Sequence, residues 1–179
     1  MGDMRGAVVA LDPRSGGVLS AVSSPRYDPN KFVNGISFSD YAELRDSQDA
    51  PLLNRVIQGQ YPPASTIKPM LGLAGLHRDL ITIDTAIPDP GYYQLPGDPR
   101  RYRDWILRVR GTGHAEEMNL RDSIAQSCDV YFYELANRFG IDALAESLDD
   151  FGIGSVTGVD LPSEKRGILP SPEWKGRVI

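Results

Sequence analysis

Several residue types are scarce in this sequence, and each scarcity excludes a class of structure or function. Its 179 residues include a single cysteine, Cys128, so an internal disulfide is excluded. No apolar run approaches the ~20 residues that a membrane-spanning helix needs, and the first ten residues lack a signal-peptide core. Basic residues are not in excess either: 19 Lys and Arg stand against 24 Asp and Glu, for a net charge of −5. Nucleic-acid binding is therefore not indicated.

Histidine is also scarce, at two residues, and the clearest candidate nucleophile has a lysine beside it instead. In the segment YPPASTIKP, residues 61–69, Ser65 and Lys68 stand three residues apart, which places both on one face of a helix. An unprotonated lysine can accept the serine proton, so Ser-x-x-Lys is a functional alternative to Ser-His-Asp. Pro69 is tolerated only in a first helical turn, which predicts that Ser65 lies at a helix N-terminus. By itself, however, Ser-x-x-Lys is more often a solvated helix start than a catalytic pair.

The rest of the chain predicts a mixed α and β domain. Apolar runs at 6–11 and 18–23 flank a turn-rich stretch, which is typical of a β-hairpin, and their near-continuous apolar character predicts burial on both faces. Residues 82–118 show no sustained period and predict an ordered loop region crossed by short strands. From Asn119, a plausible N-cap, helical spacing continues to Gly140, and a second helix is predicted from 142 to 151. Beyond residue 154 the chain reads as loop.

A second motif, Ser127-Cys128-Asp129, lies inside this predicted helical region, where it would mark a junction between two helices. Together the two motifs resemble those of the transpeptidase domain of the penicillin-binding proteins. The segments DPGYY at 89–93, RYRDW at 101–105 and GIGSVTGVD at 152–160 are similar to the elongation-type class B branch, penicillin-binding protein 2. The resemblance covers nearly the whole chain.

This resemblance implies an α/β (α+β) fold of the penicillin-binding and serine β-lactamase-like type. It is partial, because the family's third motif, Lys-Thr-Gly, does not follow Ser127. Residues 1–179 are then expected to form a partial transpeptidase domain, made of the N-terminal hairpin of the sheet and the helical subdomain. The membrane anchor, the pedestal and the third-motif strand of the family are absent from this sequence. Asp129 stands where the family usually has Asn, and an ionised Asp cannot donate a hydrogen bond to a substrate carbonyl.

The resemblance also implies a function: a peptidoglycan D,D-transpeptidase of cell elongation, acting on D-Ala-D-Ala stem peptides and targeted by β-lactams. Ser65 would be the nucleophile, Lys68 the general base, Ser127 a proton relay and Asp129 a substrate-binding residue. The protein would be the periplasmic domain of an inner-membrane-anchored protein with a RodA-type glycosyltransferase as partner and no organic cofactor. Two alternatives stay open: a serine β-lactamase or β-lactam sensor, and an inactive module with a binding or structural role.

A metal site is the last expectation. Asp89, Asp104, His114 and Cys128 offer two O ligands, one N and one S, a set that suits tetrahedral zinc in a structural role. Some elongation-type members look to carry zinc near the second motif, which favours this site. The competing interpretation is a small buried cysteine and a surface histidine, since the spacing matches no compact zinc-finger pattern. His77 is the alternative imidazole, but it has no set of carboxylates near it in the sequence.

Overall fold

The computed structural model describes residues 4–178, which divide into two compact units. The first comprises residues 4–61 and 156–167, and the second comprises residues 62–155 and 168–178. No helix in this described part of the chain is both long enough and apolar enough to cross a membrane.

The first unit contains the predicted hairpin. Strands β1 (Gly6–Leu11) and β2 (Val18–Ser24) pair antiparallel, from Gly6 opposite Ser24 to Leu11 opposite Val18, with an irregularity at Ala10/Leu11. Three helices follow, α1 (Asn30–Val33), α2 (Phe38–Asp46) and α3 (Arg55–Gln58). Helix α3 begins at Asn54, whose side chain accepts a hydrogen bond from the Val56 N–H, and it packs against both strands.

The predicted burial of the hairpin on both faces is wrong for this structure. The side chains of Val8, Val9 and Leu11 remain 51%, 44% and 55% exposed. Within residues 4–178 the sheet has only these two strands, so it has no further strand at its edges to complete an interior. The apolar side chains of the two strands predict that other residues cover both faces of the hairpin, and the described residues do not.

The second unit is mainly helical. A 3₁₀ turn (Ala64–Ile67) leads into α4 (Lys68–His77), and α5 (Ile106–Arg110), α6 (Leu120–Ala125) and α7 (Asp129–Asp149) follow. The region 82–118 is crossed by two short strands, β3 (Tyr92–Tyr93) and β4 (Tyr102–Arg103), as expected, although α5 was not predicted there. Helix α8 (Pro172–Val178) was not predicted either.

Local sequence signals fix the start of α6 and a break within α7. The Asn119 side chain caps α6 by accepting a hydrogen bond from the Asp122 N–H, as predicted. Helix α7 is interrupted at Gly140, whose φ of 68° and ψ of 167° are not helical, so the predicted break is confirmed. Glycine adopts a positive φ without the steric penalty that a side chain brings.

The core of this unit lies between α4, α6 and α7. Its fully buried members include Met118, Tyr131 and Leu135. Gly75 of α4 lets α7 approach closely, because a Cβ there would lie 3.0 Å from Leu135 Cδ1. This packing holds the start of α4, with Lys68, beside the start of α7.

We predict that Leu135→Ala lowers the free energy of unfolding by about 2–5 kcal/mol, because a side chain that is 1% exposed leaves a cavity when truncated. Leu73 of α4 is 58% exposed, so Leu73→Ala should change the free energy of unfolding by less than about 0.5 kcal/mol. Urea denaturation of the two variants checks this. Equal losses would contradict the assignment of the core.

Candidate active site

Ser65 lies in the 3₁₀ turn that precedes α4, and its side chain is exposed. It therefore lies at the N-terminus of α4, as predicted, and the local form is a 3₁₀ turn because of Pro69. Proline lacks the N–H that would bond the carbonyl four residues back, that of Ser65. The Ser65 carbonyl accepts the Lys68 N–H instead, which is the tighter 3₁₀ pattern.

Lys68 is the first residue of α4, and its side chain is only 8% exposed. Its ammonium donates to three acceptors: the Ser127 carbonyl at 2.8 Å, Ser127 Oγ at 3.1 Å and Asp129 Oδ1 at 2.6 Å. The structure thus brings the two sequence motifs together. A buried ammonium with three acceptors, one of them a carboxylate, satisfies all three of its N–H groups.

Ser127 connects Lys68 to Ser65. Its Oγ accepts from Lys68 and donates to Ser65 Oγ at 2.9 Å. Among the contacts of the described residues there is no direct hydrogen bond between Lys68 Nζ and Ser65 Oγ. The spacing of Ser-x-x-Lys predicts that the two groups face each other, and in the structure they communicate through the second-motif hydroxyl.

The backbone at Ser127 has a positive φ of 56°, in the left-handed region that a non-glycine residue seldom adopts. The residue lies between α6 and α7, at the predicted junction. Its carbonyl accepts from both Lys68 Nζ and Trp105 Nε1, the latter at 3.1 Å. Trp105 is a site residue that the motif analysis missed, because nothing in its spacing relates it to Ser127.

Asp129 is the first residue of α7, and its carboxylate is engaged by Lys68. The backbone N–H of Asp129 donates to Asp104 Oδ2 at 2.6 Å, and that of Val130 donates to the same oxygen at 3.3 Å. Asp104 therefore holds the N-terminus of the helix that carries the second motif.

The four predicted metal ligands lie together. One ligand atom from each of Asp89, Asp104, His114 and Cys128 falls within 4.8 Å of the other three. His114 Nδ1 is 2.7 Å from Asp89 Oδ2 and 3.7 Å from Asp104 Oδ2, and Cys128 Sγ is 3.6 Å from Asp89 Oδ2. His77 is exposed at the end of α4 and does not belong to this cluster.

These four side chains, named here the acidic cluster for its two carboxylates, are held close together. Burial raises the pKa of Asp89, but hydrogen bonds from the His114 backbone N–H and ring and from the Gly91 N–H outweigh it and leave that pKa below its usual value. Burial, together with the neighbouring carboxylates, raises the pKa of the Cys128 thiol to about 12. A second contact orients the imidazole: His114 Nε2 lies 3.2 Å from the Gln126 carbonyl, which leaves Nδ1 toward the carboxylates.

The loop that carries His114 approaches the loop that carries Asp89 through Gly113. A Cβ at this position would lie 1.8 Å from the Asp89 carbonyl oxygen and 2.7 Å from the Gly91 nitrogen. Only glycine leaves room for these two backbones to meet.

A Ser-x-x-Lys serine in contact with a Ser-x-Asp hydroxyl on a mixed α and β fold defines the class of Ser-Lys nucleophile proteins. The chain belongs to the penicillin binding protein transpeptidase domain family, whose model matches residues 6–179.

Individual relatives agree with this family. The chain is 54% identical over 174 residues to peptidoglycan D,D-transpeptidase MrdA of Acinetobacter baumannii, covering 97% of this chain and 25% of that protein. Pseudomonas aeruginosa PBP2 in complex with WCK 5153 has 48% identity and a TM-score of 0.89, covering 98% of this chain and 37% of the other. Helicobacter pylori PBP2 in complex with MreC has 40% identity and a TM-score of 0.87, covering 97% and 31%.

These likenesses confirm the predicted family and fold class. The chain spans about a quarter of the length of the curated relatives that it matches.

We predict that Gly113→Ala lowers the free energy of unfolding by about 1–3 kcal/mol, because the added methyl group forces the two loops apart. Gly176→Ala is the matched control, since a Cβ there meets no atom within 4 Å and alanine favours the helix. Thermal or urea unfolding compares them. A Gly113→Ala protein as stable as the control would show that the loops do not need this approach.

Proposed function

We propose that the protein containing this chain is a peptidoglycan D,D-transpeptidase of the elongation type. Its substrate would be a stem peptide that ends in D-Ala-D-Ala. The observation that carries the proposal is the hydrogen-bonded chain from the buried Lys68 ammonium through Ser127 Oγ to Ser65 Oγ. This chain connects the exposed Ser65 hydroxyl to Lys68, which accepts a proton as an amine and donates one as an ammonium.

In the acylation step, Ser65 Oγ attacks the carbonyl carbon of the penultimate D-Ala and the terminal D-Ala leaves. With Lys68 in the amine form, the Ser65 proton passes to it, directly or through Ser127 Oγ, whose hydroxyl can rotate. The ammonium that results is stabilised by Asp129 at 2.6 Å. The described arrangement, with Lys68 donating to Ser127, has the direction needed to return that proton to the leaving amine.

The second half of the reaction reverses these roles. The amine of an acceptor peptide attacks the ester carbon, loses a proton to the same relay, and releases Ser65 with its hydroxyl restored. A β-lactam would acylate Ser65 by the same attack, with its strained amide as the bond that breaks. Asp129 supports this cycle as the counter-ion of Lys68, a role that an Asn at the same position would not supply.

We also propose that Asp89, Asp104, His114 and Cys128 hold a zinc ion. The fit rests on the chemistry of the donor set: His114 Nδ1 and Asp89 Oδ2, both acceptors when His114 donates through Nε2, lie only 2.7 Å apart and need a proton or a cation between them. Zinc takes N, S and carboxylate O ligands at about 2.0–2.3 Å, usually four of them. When bound, it supplies a structural cross-link with no open position.

The consequence of such a cross-link follows from the neighbours of these ligands. Asp104 accepts the N–H groups at the start of α7, and Cys128 is the residue between Ser127 and Asp129. The ion would pin the region 82–118 to the helix start that carries the second motif.

Location and partners follow from the same proposal. A peptidoglycan substrate lies outside the inner membrane, so we place the protein in the periplasm with an inner-membrane anchor outside this sequence. The elongation type favours a RodA-type glycosyltransferase as partner, and the complex of Helicobacter pylori PBP2 with MreC supports assembly with a further protein.

We predict that Lys68→Arg keeps the fold but slows acylation of Ser65 by penicillin about 10²–10⁴-fold. Arginine preserves the charge facing Asp129 but does not release a proton at working pH. The rate is measured by intact mass on a domain that includes this chain and the third motif. Ser65→Ala should take up no penicillin, and Ser155→Ala, an exposed serine, should react as the unmodified protein does. Covalent adduct on Ser65→Ala, or an unchanged rate in Lys68→Arg, would refute these roles.

We predict about one zinc per chain by elemental analysis after purification in metal-free buffer, and a lower melting temperature after a strong chelator. Cys128→Ser and His114→Gln should lose the metal, whereas His77→Gln should retain it, because His77 is outside the cluster. Metal-free protein, or a melting temperature that the chelator does not change, would contradict the zinc site and favour the interpretation of Cys128 as a small buried side chain.

A further inference from the structure

A small pocket beside the second motif contains two arginines, Arg103 and Arg108, that have no role in the chemistry above. Its volume is about 380 Å³. The residues that line it, named here the arginine pocket, are Arg103, Asp104, Trp105, Leu107, Arg108 and Asp129. Four of these six side chains are charged, so the pocket suits a polar group of side-chain size and not an apolar one.

The two carboxylates of the pocket are already engaged. Asp104 accepts hydrogen bonds from the backbone N–H groups of Ile106, Asp129 and Val130. Asp129 is paired with Lys68 at 2.6 Å. Neither carboxylate forms an ion pair with Arg103 or Arg108 in the described residues.

The two guanidinium groups, by contrast, have no partner in the described part of the chain. Arg103 of β4 and Arg108 of α5 are exposed, and no side-chain hydrogen bond or ion pair joins either to residues 4–178. Arg101 differs, because its guanidinium lies over the Tyr92 ring at 4.4 Å. With Lys68 beside Asp129, three cations therefore stand near the two carboxylates of the arginine pocket, and two of them, Arg103 and Arg108, have no partner in the described residues.

The pocket shares a residue with the nucleophile site. Asp129 belongs to both, and Trp105 in the pocket wall donates to the carbonyl of Ser127, whose Oγ contacts Ser65. A group bound between the arginines would belong to the molecule that reacts with Ser65 or with its acyl ester.

We propose that the arginine pocket binds a carboxylate on the peptide substrate, apart from the carboxylate at its D-Ala terminus. Guanidinium groups match a carboxylate in geometry and charge, and a paired site of this kind distinguishes a carboxylate from the isosteric carboxamide. The inference rests on the proposed transpeptidase function and specifies which peptides it accepts. The carboxylate belongs to either the acyl donor or the acceptor strand.

The test compares substrates that differ by one group, using the full-length protein that contains this chain. Two donor peptides ending in D-Ala-D-Ala, with a side-chain carboxylate or carboxamide before these residues, are compared by kcat/KM for D-Ala release. A matched pair of acceptor peptides is compared in the same way. We expect a preference for the carboxylate of about tenfold in one of the two pairs, decreasing as salt is raised.

Variants then assign the preference to the pocket. Arg103→Gln/Arg108→Gln should bring the carboxylate-to-carboxamide ratio close to one, and Arg103→Lys/Arg108→Lys should retain part of it. Arg100→Gln/Arg110→Gln removes two exposed arginines of the same segment that do not line the pocket, and should keep the full ratio. Because the readout is a ratio on one protein, a partial loss of folding does not imitate the effect.

The outcomes separate the two proposals. Preference in the donor pair or in the acceptor pair supports the pocket and identifies the strand. No preference in either pair, or a ratio that Arg103→Gln/Arg108→Gln leaves unchanged, overturns it while penicillin still acylates Ser65. Failure of penicillin to acylate Ser65 in the unmodified protein would overturn the proposed function itself, and the pocket proposal with it.

Discussion

The buried ammonium of Lys68 is the interaction on which the rest of the candidate site depends. A charge that is nearly inaccessible to water must be matched by acceptors, since leaving it unpaired would cost several kcal/mol. Here the acceptors are the carbonyl and hydroxyl of Ser127 and the carboxylate of Asp129. This requirement joins the start of α4 to the start of α7, and it brings Ser127 Oγ against Ser65.

The acidic cluster and the nucleophile site are connected through the start of α7. Asp104 contributes to the cluster and also accepts the N–H groups of Asp129 and Val130. Cys128 caps the same helix by accepting the Tyr131 N–H. Rearrangement of the cluster would therefore displace Ser127 and Asp129. The proposed zinc ion would in this way influence the serine chemistry without any contact with the substrate.

Charge also determines what the pocket beside the nucleophile can bind. Each carboxylate near the nucleophile has a donor, so the cations left without partners, Arg103 and Arg108, determine what the neighbouring pocket attracts. In the proposed mechanism the buried ammonium of Lys68 transfers protons, whereas the two exposed guanidinium groups are proposed to bind a carboxylate. The two proposals thus give positive charge two functions within one site, distinguished by burial.

Local sequence determined much of this protein. The hairpin, the Asn119 cap, the Gly140 break and the short strands of 82–118 were all predictable, because capping, turn formation and periodicity act between residues close in the chain. The two motifs and the four acidic-cluster residues could be named for the chemistry of their side chains. Only the tertiary structure decided that Lys68 reaches Ser65 through Ser127, that Trp105 holds the Ser127 carbonyl, and that the hairpin residues stay exposed. Those outcomes depend on contacts between residues 22 to 62 positions apart, or on coverage that no local pattern specifies, and such contacts are set by how the helices pack.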